Sequence, residues 1–257
     1  MWFLPDDTTE PIINAKEQIN RTHLGCHVRL PETAIVFFMS KGIEHLCDNY
    51  NARKLPGLFP RFLNRCPIWE IMDYQVCFLD GGRGAPQACD TVETLAALGV
   101  NNIISVGLFG AFDQRINIGE IITPEKAFVE EGTSLHYYES IEYAAPDDHL
   151  LKIATTLLNV KTYPIVSTDA VYRQTFHKEA MWRRKGAVGV DMETSAVFNI
   201  ARYLGLKSVG LLMASDIHPM NPGDQKWKWH MTDGMRFDLS EKSIAIARQL
   251  RKPFAES

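Results

Sequence analysis

The sequence has no apolar stretch that approaches the ~20 residues needed to span a bilayer; its longest runs, such as AIVFFM at 34–39, stop far short. Cysteine is sparse: the five cysteines are odd in number and none has C-x-x-C spacing, which argues against a disulfide framework and against a zinc site. Basic excess is missing too. Lys and Arg number 27 against 31 Asp and Glu, for a net charge of -4, and no cluster of cations interleaved with aromatics marks a nucleic-acid surface. The run WRRKG at 182–186 reads as a solvated helix end. Internal repeats, low-complexity segments and linkers are absent. The opening MWFLPDDTTEPI is acidic and broken by proline, unlike a secretory signal. These absences lead us to expect a cytoplasmic protein with no nucleic-acid partner, no membrane attachment and no metal or redox cofactor.

What is present is a globular composition, 46% hydrophobic and 23% charged, in 257 residues, the size of one large α/β domain. Short β-rich runs at 33–39, 74–82, 101–110, 118–129, 161–170 and 207–216 alternate with helical patterns at 85–99, 147–159, 177–186 and 192–205. That alternation predicts an α/β fold with a mixed central sheet flanked by helices on both faces. SEKSIAIARQLRKP reads as a C-terminal helix stopped by Pro253. The first thirty residues and 221–237 are the least regular, and the second segment, bearing two tryptophans, suits either the rim of a site or a packed surface loop.

Three stretches carry chemistry. GAVGVDMETSAVFNIARYLG (186–205) has apolar residues at helical spacing from Ala196 onward, yet opens on Asp191 and Glu193. Acid there either favours the positive end of the helix dipole or faces a pocket and accepts bonds from ligand hydroxyls. MASD ends an apolar strand in Asp216, where open α/β sheets bind ligands, although a turn or N-cap aspartate fits as well. LDGGRGAPQACDTVETL places glycines, Gly82 among them, between a strand and a helix, where backbone N–H groups can hold an anion or carbonyl. Its spacing is not G-x-G-x-x-G, so a dinucleotide fold is a weak alternative.

Taken in order, GGRGAPQACDTVETLAALGVNNIISVGLFGAF, GEIITPEKAFVEEGTS, VSTDAVYRQT, VDMETSAVFNIARYLG and LLMASD resemble the nucleoside phosphorylase family, which includes purine nucleoside phosphorylase, uridine phosphorylase and the methylthioadenosine nucleosidases. The resemblance implies an N-terminal extension over 1–22 and a nucleoside phosphorylase-like domain over 23–257. It implies that Glu193 binds the ribose 2′ and 3′ hydroxyls, that Met192 packs on the sugar, and that Asp216 assists departure of the base near N7. His23, in THLG, is implied to reach a neighbouring subunit's 5′ hydroxyl, which requires a homo-oligomer, a dimer or a trimer of dimers with shared sites. Tyr172, Arg173 and Phe176 fall in the segment lining the base pocket; as residues alone they also suit ordinary packing or surface positions.

The phosphate site departs from the family pattern. MSKGIEH keeps Gly42 but offers Ile43 where an arginine is expected, Ser105 replaces a second arginine, and Leu108 replaces a Ser or Thr. Phosphate is a dianion best held by Arg, and Lys41, Arg53 or Arg83 are the available substitutes. The expected reaction is cleavage of a nucleoside N-glycosidic bond, purine preferred, with transfer of the ribosyl group to phosphate. Hydrolysis is the alternative, with Glu44 as the nearby carboxylate, and a non-catalytic nucleoside-binding or storage relative is the third.

Overall fold

The computed structural model describes residues 2–21, 29–224 and 227–251. In chain order the strands are β1 (Thr33–Phe37), β2 (Ala52–Lys54), β3 (Ile68–Ile71), β4 (Val76–Asp80), β5 (Asn102–Ala111), β6 (Ile121–Glu130), β7 (Tyr143–Ala144), β8 (Lys161–Thr168), β9 (Gly189–Asp191), β10 (Lys207–Ile217) and β11 (Lys228–Trp229). The helices are α1 (Ala15–Arg21), α2 (Gly42–Asn49), α3 (Ala85–Ala97), α4 (Asp148–Leu158), α5 (Phe176–Arg184), α6 (Thr194–Tyr203) and α7 (Asp233–Arg251).

Strands β4, β1, β5 and β10 run parallel, and β1 is buried at every position, as a strand covered on both faces must be. One helical layer, α3 and α6 with α1 on α3, packs Ile19, Val92, Leu95, Val197 and Ile200 on the sheet. The other, α2, α4 and α7, supplies Leu46, Leu150, Leu239 and Ile244. The mixed sheet between two helical layers is the expected α/β architecture, and the apolar positions Ala196, Val197, Ile200 and Ala201 of α6 are buried.

Local periodicity does not disclose that part of the sheet closes on itself. β10 pairs with both β5 and β6, β6 with β8, β8 with β9, and β9 with β5, so five strands form a ring from which β1, β4, β3 and β2 extend as a wing. Two helices go beyond the sequence reading. Residues 42–49, to which it assigns no helix, form α2, and α7 begins at Asp233 instead of Ser240 because Thr232 Oγ1 accepts the Met235 N–H and caps it.

Two irregularities aim the chain toward one end of the sheet. In β10 the register moves from Ala214 opposite Phe109 to Asp216 opposite Gly110, a bulge in which Ser215 is the extra residue. After β4, a buried arginine fixes the turn into α3: Arg61 donates from Nε to the carbonyls of Leu63 and Asn64 (2.9 and 3.0 Å), and from Nη1 to Asp80 O and Thr91 Oγ1 (2.7 and 2.9 Å). Among the described residues no helix is long and apolar enough to cross a membrane.

Replacing the buried guanidinium leaves those carbonyls without their donor, so Arg61→Met is expected to lower unfolding free energy by about 3 kcal/mol. Urea denaturation followed by circular dichroism measures it; a loss below ~1 kcal/mol contradicts the bracing role of Arg61.

Candidate active site

A cleft of about 310 Å³ opens at the C-terminal ends of the parallel strands. Phe38 follows β1, Arg83 follows β4, Phe109 and Gly110 lie on β5, and Met192 and Glu193 follow β9. Asp216 and His218 stand at the end of β10. A larger hollow of about 680 Å³ lies at the opposite strand ends around Arg29, Glu32, Asn102 and Arg251. We place the site in the smaller cleft, because ligands of open α/β sheets bind outside the carboxyl ends and because the acids singled out by the sequence meet there.

The two acids at the start of α6 divide the two roles that the sequence leaves open. Asp191 serves the helix: its Oδ2 accepts the Thr194 N–H (3.1 Å) and hydroxyl (2.5 Å), and its Oδ1 accepts the Ser167 hydroxyl (2.5 Å). Asp191 and Glu193 both line the cleft, but the oxygens of Asp191 are taken by these donors, whereas Glu193 has Oε1 accepting the Gly84 N–H at 2.6 Å. Burial raises the Glu193 carboxyl above its ordinary range, and the neighbouring Asp191 charge raises it further. Burial likewise raises Asp191, partly offset by its hydroxyl donors.

At the end of β10, Asp216 lines the same cleft as an acceptor with three donors. Ser215 Oγ donates to Oδ1 at 2.5 Å, while Trp227 Nε1 (2.6 Å) and His218 Nε2 (3.0 Å) meet Oδ2. The tryptophan arrives because the chain returns as β11, which pairs antiparallel across Asp216 and sets Trp229 opposite it. His218 Nδ1 in turn lies 2.7 Å from Glu179 Oε1 on α5. Burial alone would raise the Asp216 carboxyl, but the bonds from His218, Ser215 and Trp227 outweigh it and hold the group below its ordinary range. Burial opposes charge on His218, yet its bonds to Asp216 and Glu179 and their charges raise it to about 9. Gly110 makes the arrangement possible: a Cβ there would lie 2.5 Å from His218 Nε2 and 2.9 Å from Asp216 Oδ2.

Comparison with known proteins places this site in a family. The Phosphorylase superfamily profile matches residues 32–236, which hold all of the cleft acids. The chain belongs to the phosphorylase superfamily. It is 33% identical to guanosine phosphorylase of Halorubrum lacusprofundi over 146 residues, 54% of this chain and 59% of the relative, so it spans little more than half the length of the curated relatives it matches. Its fold is that of purine nucleoside phosphorylase from Toxoplasma gondii in complex with immucillin-H (TM-score 0.73, 17% identity, 95% and 98% of the two chains). Uridine phosphorylase from Vibrio fischeri ES114 complexed with 6-hydroxy-1-naphthoic acid is also similar in fold (TM-score 0.70, 24% identity, 86% and 91%).

Within this superfamily chain, the sequence-predicted residues do not all converge. Glu193, Met192, Asp216 and Arg83 line one cleft. Gly82 does not, and the N–H groups of its turn are already engaged: Gly82 with Asp80 Oδ1, Arg83 with Gln87 Oε1, and Gly84 with Glu193. Tyr172 is 96% exposed, and Arg173 and Phe176 also face outward; from that segment Val171 and Gln174 reach the cleft. Three expected phosphate residues lie elsewhere. Arg53 pairs with Glu70 at the sheet edge (2.9 Å), Ser105 is buried mid-strand and donates to Val209 O, and Gly42 packs under Phe37 and Met39 at the start of α2. His23 lies outside the described residues.

Sequence reasoning missed His218, Glu179 and Gly110, whereas Trp227 and Trp229 of the irregular 221–237 segment do line the rim of the cleft. For His218 a signal existed, since residues two apart at a strand end share a face with Asp216. Nothing local marks Glu179.

Because the Glu193 pKa is raised above 4.5, the folded protein retains a proton that the unfolded chain has released, so this group lowers stability as pH climbs above 4.5. Glu193→Gln, neutral at every pH, is expected to melt above the parent at pH 8 and to approach it at pH 5. A difference that does not change between those two pH values contradicts the raised carboxyl.

Proposed function

We propose that this protein cleaves the N-glycosidic bond of a purine nucleoside and transfers the ribosyl group to inorganic phosphate. The observation that carries this reading is the pair of buried acids lining one cleft, Glu193 just after β9 and Asp216 at the end of β10, which we assign to the sugar and to the base. Glu193 is anchored through Oε1, and a carboxylate has lone-pair sites enough to accept the 2′ and 3′ hydroxyls as well. Met192 packs beside them on the sugar. The C1′–N bond breaks through an oxocarbenium-like state in which negative charge gathers on the base, and a hydrogen bond or proton at N7 from Asp216 lowers that barrier. Phe38, Trp227 and Trp229 offer apolar and aromatic surface for the ring. The purine assignment rests on the fit of Asp216 to N7, and it agrees with the similarity to guanosine phosphorylase of Halorubrum lacusprofundi. Among the described residues Arg83 supplies the guanidinium on the cleft; its Nη1 is engaged with Asp80 and Gly82 O, so phosphate would have to share it or use Nη2. We further propose a homo-oligomer, in which a second copy covers the exposed Tyr172 and Phe176 and presents His23 to the 5′ hydroxyl.

Hydrolysis is the second reading, favoured by one observation: Arg53, Ser105 and Gly42 stand away from the cleft, and Phe38 and Leu108 make part of its wall apolar. The sugar product separates the two readings. Incubation with inosine, guanosine, adenosine, methylthioadenosine and uridine, with and without phosphate, is expected to release purine with phosphate-dependent ribose 1-phosphate. Phosphate-independent free ribose establishes the second reading, and absence of base release from the whole panel overturns both. Glu193→Ala removes two charge-assisted hydrogen bonds to the sugar and is expected to lower kcat/KM by at least ~100-fold with the circular dichroism spectrum retained. A loss below ~5-fold removes Glu193 from the sugar site.

A further inference from the structure

The proposed reaction asks Asp216 for a proton, yet Asp216 is surrounded by donors and held as a carboxylate. Each neighbour on its two oxygens gives a hydrogen: Ser215, Trp227 and His218. Hydroxyl and indole protons are not acidic enough to move at neutral pH, which leaves the imidazole. We propose that His218 supplies the proton that reaches the leaving base through Asp216, with Glu179 holding the imidazole in its charged form and orientation. This inference rests on the N-glycosidic reading above.

The geometry forms a line: Glu179 Oε1, 2.7 Å to His218 Nδ1, then Nε2, 3.0 Å to Asp216 Oδ2, then the cleft. With both ring nitrogens facing carboxylate oxygens, both carry hydrogen and the ring is an imidazolium. The charged groups around it are Asp216 at the end of β10 and Glu179 on α5, each bonded to a ring nitrogen, with Asp224 and the β11 residue Lys228 across the outer hollow; β5 presents Gly110, and Trp227 is neutral. As the C1′–N bond breaks, its electron pair passes to the base. N7 takes a proton from Asp216 Oδ2, and Oδ2 takes one from His218 Nε2, leaving a neutral imidazole whose Nδ1–H stays on Glu179. The nucleophile, water or hydrogen phosphate, loses one proton on bonding to C1′, which balances the proton gained by the base.

Recharging need not pass the substrate. His218 also lines a separate outer hollow of about 510 Å³ with Gln114, Asp224 and Lys228, so the imidazole forms part of the wall of two clefts and solvent reaches its far side. His218 and Glu179 are thus positioning residues that act through Asp216. The imidazolium persists up to about pH 9, covering the neutral range in which the relay has to be loaded.

The test compares inosine, whose base requires the proton, with 7-methylinosine, whose N7 already carries positive charge. His218→Gln is expected to slow kcat for inosine by ~100-fold and to slow 7-methylinosine at least ~30-fold less. In the parent enzyme kcat for inosine falls as pH rises through about 9, as the imidazolium is lost, and Glu179→Gln moves that limb to lower pH. Equal slowing of the two substrates, or a limb unmoved by Glu179→Gln, overturns the relay while leaving N-glycosidic cleavage standing. No turnover of any nucleoside by the parent protein overturns that reading and the relay together. If His218→Gln fails to fold, the Glu179→Gln profile and the titration of the His218 ring by carbon-13 NMR in the parent decide the matter; a ring already neutral at pH 8 overturns the relay.

Discussion

An ionised carboxylate removed from water costs several kcal/mol unless donors meet it, and this chain buries five acids around the C-terminal ends of its strands: Glu131, Glu179, Asp191, Glu193 and Asp216. Meeting that requirement organises the surrounding loops. Ser134 and Ser195 donate to Glu131, Ser167 and Thr194 to Asp191, Gly84 to Glu193, and Ser215 and Trp227 to Asp216. The turn after β4, the start of α6, the returning strand β11 and helix α5 are drawn to one place because each brings a donor or an acid to this network.

The sequence discloses Glu193 and Asp216 because each has a local signature. Glu193 stands just ahead of an apolar helical pattern, and Asp216 ends an apolar strand. Periodicity likewise discloses the helices on both faces, since burial repeats at short range. What stays hidden depends on pairing between distant segments. The ring of five strands needs β9, a three-residue strand, to join β5 and β8, and so short a run has no periodicity to read. Motifs locate a segment more readily than they orient its side chains. The stretch around Tyr172 does border the cleft, but the turn at 171–173 sends Tyr172 outward and leaves Val171 facing in.

Acid–base groups are distributed unequally between the two ends of the proposed reaction. The base side has a carboxylate, an imidazole and a second carboxylate in series, whereas the acceptor side has Arg83, already within 3.3 Å of Asp80, beside apolar Phe38 and Leu108. A site built this way gains more from easing departure of the base than from activating the group that replaces it, which matches the loosely bonded character of an oxocarbenium-like state.

The bulge at Ser215 gives the last strand a property that amino-acid content does not express. Were Ser215 to pair within the ladder instead of bulging out, it would take the place opposite Gly110, Asp216 would pass to Ala111, and β10 would run on with β5 as a more regular sheet. The acid and the histidine that follows would then turn to the opposite side, away from Glu179 and the indole of Trp227. Position along the strand is therefore counted in reading frame as well as in chemistry. Two chains with the same residues here, one with the bulge and one with Ser215 in the ladder, would share a fold and not a site.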